Sequence, residues 1–157
     1  MSDADRIAEI GLDEALGGRL RPEVEHDRAV ALQDLIDENR FRLSAGPAGP
    51  YRLELGVDGG RLLVRVRPLA AEETVVFGLA LSPFRRIIKD YHLICDSYFE
   101  AIRRLAPSQI EAIDMGRRGL HNEGAEKLLE RLKGRADIDL ATARRLFTLL
   151  CVLHARG

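Results

Sequence analysis

The sequence has few of the residues that mark the common metal-binding and catalytic motifs. It contains two cysteines and four histidines. None of them has CxxC, HxxxH or HExxH spacing, which argues against a zinc site. P-loop, GxGxxG and GxSxG patterns are also absent, which excludes the familiar nucleotide-binding and nucleophile signatures. We therefore expect neither a metal ion nor a cofactor.

Long apolar runs are missing as well. The longest nearly apolar run, residues 146–153, is far shorter than the roughly 20 residues that a membrane-spanning helix needs. The N-terminus is acidic and lacks the apolar segment of a secretory signal, so we expect a cytoplasmic protein that does not enter a membrane. In that compartment Cys95 and Cys151 are expected to be reduced and buried.

What the sequence does contain is typical of a globular protein, with 46% hydrophobic and 31% charged residues. The charge is unevenly distributed. Residues 1–40 hold 11 acidic and 5 basic groups, a net charge of −6, whereas the whole chain carries −1, which leaves +5 for the remainder. This division favours electrostatic complementarity with a protein partner or between two copies of the chain.

Alternation of apolar and polar residues predicts a run of strands after a loop at residues 44–50. Because every second side chain is apolar, one face of the sheet is expected to be covered and the other wet. The predicted strands are residues 51–57, 62–66 and 75–81, with a further short edge strand within residues 5–12.

Helical periodicity covers most of the rest of the chain. Pro22 begins a predicted helix to about Asn39, with Asp27, Asp34 and Glu38 in an outward stripe. Three further helices are predicted at residues 82–105, 107–132 and 139–154.

The helix at residues 82–105 is strongly amphipathic. Ser82 is expected to cap it and Pro83 to occupy its first turn. Its apolar face includes Ile102 and Leu105, and we expect the other elements to pack against that face.

These patterns predict an α+β fold. An antiparallel β-meander of three to four strands is covered on one face by a helical layer, and three consecutive helices follow. We expect one domain over residues 1–157. Its parts are an N-terminal strand and acidic helix (1–43), the β-meander (50–81) and a three-helix C-terminal part (82–157).

The most unusual stretch lies in the third predicted helix. Asp114, Arg117 and His121 fall at i, i+3 and i+7 among apolar residues, which places three ionisable groups on an apolar face. Such groups are costly to bury unpaired, so either a structural polar network or a functional site is expected. The neighbouring residues Arg118, Asn122 and Glu123 extend the candidate set, with Asp114, His121 and Glu123 as catalytic candidates.

Three glycines, Gly116, Gly119 and Gly124, add to the oddity, because each costs about 1 kcal/mol relative to alanine inside a helix. Two explanations remain open. In the first, another backbone, such as that of the 82–105 helix, or a ligand approaches the glycines closely. In the second, the helix breaks near residues 122–124.

A second candidate for anion binding is the start of the 82–105 helix, where Arg85, Arg86 and Lys89 lie near unsatisfied backbone N–H groups. A solvated basic face explains the same pattern. Arginine doublets recur along the chain, but a pI near 6.4 argues against nucleic-acid binding.

Several long segments resemble uncharacterised protein family 0262, a bacterial family without an assigned activity. The segments are VEHDRAVALQDLIDENRF, SPFRRIIKDYHLICDSYFEAIR, PSQIEAIDMGRRGLHNEGA and TARRLFTLLCVLHARG. The resemblance implies a small cytoplasmic protein and carries over no substrate, cofactor or catalytic residue.

Two functions of different classes follow. The first is a non-enzymatic interaction or regulatory module that acts through a protein partner or self-association as a homodimer. The second is an enzyme or a small-anion-binding protein. In this second hypothesis His121 acts as acid or base and Asp114 orients His121. Arg117 or Arg118 holds a phosphorylated or carboxylated ligand.

Overall fold

The computed structural model describes residues 4–13 and 20–156, and it places six strands and four helices within them. In chain order these elements are β1 (Ile7–Leu12), α1 (Pro22–Asp37), β2 (Phe41–Leu43), β3 (Tyr51–Asp58), β4 (Arg61–Pro68), β5 (Val75–Ala80), α2 (Arg85–Arg104), α3 (Pro107–Leu132), β6 (Ala136–Ile138) and α4 (Leu140–Arg156).

Four strands form one sheet in the order β1-β3-β4-β5. The three later strands make the predicted antiparallel meander, with Leu53 opposite Val66 and Val64 opposite Phe77. The predicted edge strand is confirmed as β1, which pairs in parallel with β3. The α+β fold is therefore confirmed, with a mixed sheet in which antiparallel pairing dominates.

The sheet has one dry face, as its alternation predicts. On β4 the apolar residues Leu62, Val64 and Val66 are buried, whereas Arg65 and Arg67 on the opposite face are exposed. The buried face and the helices share one hydrophobic core.

The most deeply buried helix is α4, because apolar residues cover most of its circumference. Its Phe147, Leu149 and Leu150 are fully buried. It packs against α1, α2, α3 and β3. The expectation that the other elements pack against the 82–105 helix is correct only in part, because α2 packs mainly against α3 whereas α4 contacts both α1 and α3. Near the C-terminal end of α2, Ile102 and the residue that follows the helix, Leu105, are about half exposed, at 53% and 43%.

Several helix boundaries follow the predictions closely. Pro22 begins α1, and the carboxylate of Asp139 accepts a hydrogen bond from the backbone N–H of Thr142 at 2.9 Å, which caps α4. The predicted cap at Ser82 is wrong by one turn. Residues Ser82–Phe84 form a 3-10 turn, and α2 begins at Arg85.

The structure adds a small sheet that periodicity did not predict. Strands β2 and β6, of three residues each, pair in antiparallel fashion. None of the helices within the described residues is long and apolar enough to span a membrane. The two cysteines, Cys95 and Cys151, are free and buried, as expected.

Candidate functional site

Helix α3 runs without a break from Pro107 to Leu132, so the alternative of a break near residues 122–124 is wrong. Gly124 shows why a glycine is tolerated inside it. An added Cβ at Gly124 would lie 2.2 Å from Cζ of Phe147, which is buried on α4. At Gly116 a Cβ would lie 2.7 Å from Ile94 on α2, and at Gly119 it would meet open space. Two of the glycines thus let α3 approach its neighbours closely.

The predicted cluster on α3 is only partly connected. Arg117 donates hydrogen bonds to Oδ1 of Asp114 from Nε at 3.0 Å and from Nη2 at 2.6 Å. Arg118 places Nη2 2.9 Å from Oδ2 of the same carboxylate. The hydrogen bond from Arg117, followed by the positive charges of both arginines, lowers the pKa of Asp114. Both carboxylate oxygens are therefore engaged by arginine.

His121 does not contact Asp114, so the predicted orienting role of Asp114 is wrong. The reason is that the two arginines, one turn along the helix, occupy both carboxylate oxygens. Nε2 of His121 instead lies 2.8 Å from Oγ1 of Thr148 on α4. The imidazole ring also contacts the rings of Tyr91 and Phe147, with centroid distances of 5.4 and 5.5 Å.

The charge state of His121 follows from this environment. Burial lowers the pKa of His121 to about 4, and the positive charges of Arg144 and Arg117 add to the decrease. The imidazole is therefore neutral at pH 7. Because its pKa is so low, the imidazole of the protein alone is a weak base. A general base works best with a pKa near the operating pH, and His121 does not meet that condition at pH 7.

Beside His121, a cavity of about 600 Å³ opens where the four helices meet. Its walls include aromatic, basic and acidic side chains, and we call it the arginine cavity. Its polar and aromatic lining consists of His26, Asp27 and Asp34 of α1, Tyr91 of α2, Arg117, Arg118, His121 and Asn122 of α3, and Arg144, Arg145 and Thr148 of α4.

Two of its four arginines have no carboxylate partner in the part of the chain that the structure describes. Nε of Arg144 donates to Oδ1 of Asn122 at 2.9 Å, and Nη1 of Arg145 donates to the carbonyl of Ala141 at 3.1 Å. Among the described residues, neither guanidinium lies within ion-pair distance of an acidic group. Both retain donors for an anion, since a guanidinium has five N–H groups.

Asp27 faces the cavity, so it departs from the predicted outward stripe of α1. It is half-buried, and burial raises the pKa of Asp27, although the positive charge of Arg117 partly opposes the increase. Within the described residues its carboxylate forms no ion pair. Asp34 lies at the same wall and is exposed.

The other predicted residues lie elsewhere. Arg85, Arg86 and Lys89 are exposed and do not line the arginine cavity. Arg86 forms ion pairs with Glu123 and, at 3.3 Å, with Asp90. Glu123 is therefore joined to the start of α2 and separated from His121 and Asp114.

Sequence reasoning missed Asp27, Tyr91, Arg144, Arg145 and Thr148 as site residues. Only α4 carried a usable signal, because its arginines and Thr148 are polar residues on an otherwise apolar helix. For Asp27 and Tyr91 the local pattern gave no sign, since the folding of α1 and α2 onto α3 brings them there. No group of three or more metal-ligating side chains occurs in the part of the chain that the structure describes.

The sequence is similar to a known protein family over nearly its whole length. A family model described as "Uncharacterised protein family (UPF0262)" matches residues 4–156. The chain belongs to the UPF0262 family. This membership confirms the resemblance found in the sequence.

Relatives in the UPF0262 family cover nearly the whole chain. The protein of Rhizobium meliloti (strain 1021) is 53% identical over 152 residues, which are 97% of this chain and 96% of the relative. That of Mesorhizobium japonicum is 56% identical over 97% of this chain and 94% of its own length. That of Rhodospirillum rubrum is 55% identical over 100% of this chain and 97% of its own length. No solved structure matches the chain.

Proposed function

We propose that this protein binds a small molecule bearing a carboxylate or phosphate group in the arginine cavity. The observation that carries the proposal is the pair Arg144 and Arg145, which line a concave site and have no acidic partner among the described residues. Charge-assisted hydrogen bonds from arginine to an oxyanion are among the stronger polar contacts in proteins. An anion is therefore the ligand that these groups accommodate best.

The remaining walls support the same proposal. Arg117 and Arg118 are bound to Asp114, which holds their guanidinium groups in place. The cavity volume of about 600 Å³ lies within the range of metabolite-binding sites. The neutral His121, with Nε2 2.8 Å from Oγ1 of Thr148, adds a polar wall that carries no charge.

We favour binding over acid–base catalysis. A histidine with a pKa of about 4 is poorly matched to proton transfer at neutral pH. The cytoplasm, expected from the sequence, is the compartment that we assign to this function.

An interaction module, the first hypothesis from the sequence, remains a second candidate. Four exposed apolar side chains on and around α2 and α3 favour it, namely Leu93, Ile102, Leu105 and Met115. If this surface mediates self-association, light scattering should give the mass of a dimer and Ile102→Asp should reduce it to that of a monomer. A native protein that is monomeric at all concentrations would count against self-association.

Anion binding is tested by an NMR pH titration of His121 in sodium sulfate, sodium phosphate and sodium chloride of equal ionic strength. An oxyanion held in the arginine cavity stabilises the imidazolium, so the pKa of His121 should rise in sulfate or phosphate, both of which stay anionic near pH 4. His154 lies outside the cavity and serves as the internal reference. Identical His121 titration curves in all three salts would contradict the proposal.

A further inference from the structure

A second, smaller cavity adjoins the arginine cavity. It has a volume of about 260 Å³ and lies between α1, α2 and α4. Three residues, Asp27, Tyr91 and Thr148, line both cavities. The two cavities therefore share a wall formed by these side chains.

The second cavity differs from the first in chemistry. Most of its wall is aliphatic, aromatic or thiol, and we call it the apolar cavity. Its apolar lining includes Val24, Cys95, Phe99, Cys151 and Val152.

Apart from Asp27, the polar groups at this cavity are already engaged or remain uncharged. Arg21 and Asp96 are paired with each other, and Nε2 of His92 lies 3.2 Å from the carbonyl of Cys151. Burial raises the pKa of both cysteine thiols, so they remain protonated and behave as small hydrophobes. The apolar cavity therefore favours a hydrocarbon group.

The size of the apolar cavity sets what it can hold. An apolar cavity of about 150 Å³ is enough for benzene. The 260 Å³ here is enough for an aromatic ring or a branched aliphatic chain.

Asp27 lies where the two cavities meet. Its carboxylate is half-buried, and no ion pair satisfies it within the described residues. Partly burying an acceptor-only group without a donor is unfavourable. A ligand that carries an N–H or O–H group between its anionic and apolar parts would supply that donor.

Building on the proposed function, we infer that the ligand is an amphipathic carboxylic acid with a hydroxyl or amino group beside the carboxylate. The carboxylate binds among Arg144, Arg145 and their neighbours, the donor contacts Asp27, and an aliphatic or aromatic arm fills the apolar cavity. Apolar 2-hydroxy acids and apolar amino acids share this chemistry.

The test is a calorimetric binding series on the native protein in which one part of the ligand is removed at a time. The acids are 2-hydroxy-4-methylpentanoate and leucine, then 4-methylpentanoate, which lacks the donor, lactate and alanine, which lack the arm, and acetate. We expect 2-hydroxy-4-methylpentanoate or leucine to bind at least about tenfold more tightly than lactate or alanine, because three added carbons are removed from water. We also expect a severalfold advantage over 4-methylpentanoate.

Variants at two positions separate the parts of the inference. Val24→Phe fills part of the apolar cavity and should remove the advantage of the arm while leaving acetate binding unchanged. Asp27→Ala should abolish the advantage of the donor. Asp27→Asn keeps a neutral acceptor, so it should retain a preference for the hydroxy acid and lose one for the amino acid.

The outcomes distinguish this inference from the proposed function. If all the acids bind with the affinity of acetate, the inference is overturned and anion binding stands. If none of them binds, both fail. Should Val24→Phe not fold, the ligand series on the native protein still decides the role of the arm.

Discussion

Two clusters of basic side chains illustrate what makes an anion site in this fold. The α2 basic cluster, which is Arg85, Arg86 and Lys89, is exposed, and Arg86 is paired with carboxylates on two helices. The α4 arginine pair, Arg144 and Arg145, lines a concave surface and has no acidic partner in the described residues. Arg85 and Lys89 also form no ion pair among the described residues, so the difference between the clusters is that the α4 arginine pair lines a cavity and the α2 basic cluster does not.

The largest expected effect comes from removing the α4 arginine pair. Arg144→Ala combined with Arg145→Ala should lower the affinity for inorganic phosphate about 100-fold, since each hydrogen bond to a charged group contributes about 1.5–3 kcal/mol. Isothermal titration calorimetry measures the loss. The matched control is Arg85→Ala combined with Lys89→Ala, which removes two exposed charges from the α2 basic cluster. Equal losses in the two double variants would refute the distinction between the clusters.

The second effect concerns the close approach of α3 and α4, which holds the arginine cavity in shape. Gly124→Ala forces a Cβ against the buried ring of Phe147. It should lower the free energy of unfolding by about 1–3 kcal/mol despite the better helix propensity of alanine. Urea unfolding measures it.

Gly119→Ala is the control for that substitution. Open space surrounds Gly119, so alanine there should raise stability by up to about 1 kcal/mol. A destabilisation at position 119 equal to that at 124 would show that helix packing does not explain the glycines.

A third effect is the pH dependence that burial of His121 imposes. Its pKa is about 4 in the folded protein and about 6.5 when unfolded, so the unfolded chain binds more protons between these values. The contribution of His121 to stability is therefore largest above pH 6.5 and should fall by roughly 2–3 kcal/mol as the pH drops to 4. His121→Gln should flatten this part of the curve. If His121→Gln shows the same dependence of unfolding free energy on pH as the native protein, a group other than His121 is responsible for it.

The smallest effect is expected from the α2 basic cluster itself. Arg86→Ala removes exposed ion pairs with Glu123 and Asp90, and pairs of this kind contribute little in water. The urea midpoint should not change measurably, and phosphate affinity should stay the same. A clear loss of affinity would mean that this cluster takes part in anion binding.

Much of the fold was predictable because the local pattern of apolar and polar residues indicates the longer strands and helices. Strands β3, β4 and β5 and the four helices each contain enough residues for an apolar pattern to emerge. Strands β2 and β6 have only three residues each, which is too short for such a pattern. The central position of α4 depends on which helices and strands pack against its apolar surface. The periodicity of a single helix, such as α2, carries no information about that packing.

The candidate site was predictable only where it lies on one helix. The spacing of Arg117 and His121 on α3 placed them on a common face. Arg144 and Thr148 come from a helix that meets α3 through tertiary packing, so no local pattern links them. The predicted contact between Asp114 and His121 is absent because Arg117, at i+3, binds the carboxylate of Asp114.

The most direct test of anion binding in the arginine cavity is an NMR spectrum of the arginine Nε–H groups during a titration with acetate, and then with phosphate. Resonances of Arg144 and Arg145 should shift and saturate at one common dissociation constant, while those of Arg85 and Arg86 stay in place. Saturable shifts at Arg85 or Arg86, or weak shifts of every arginine without saturation, would contradict a dedicated site at the α4 arginine pair.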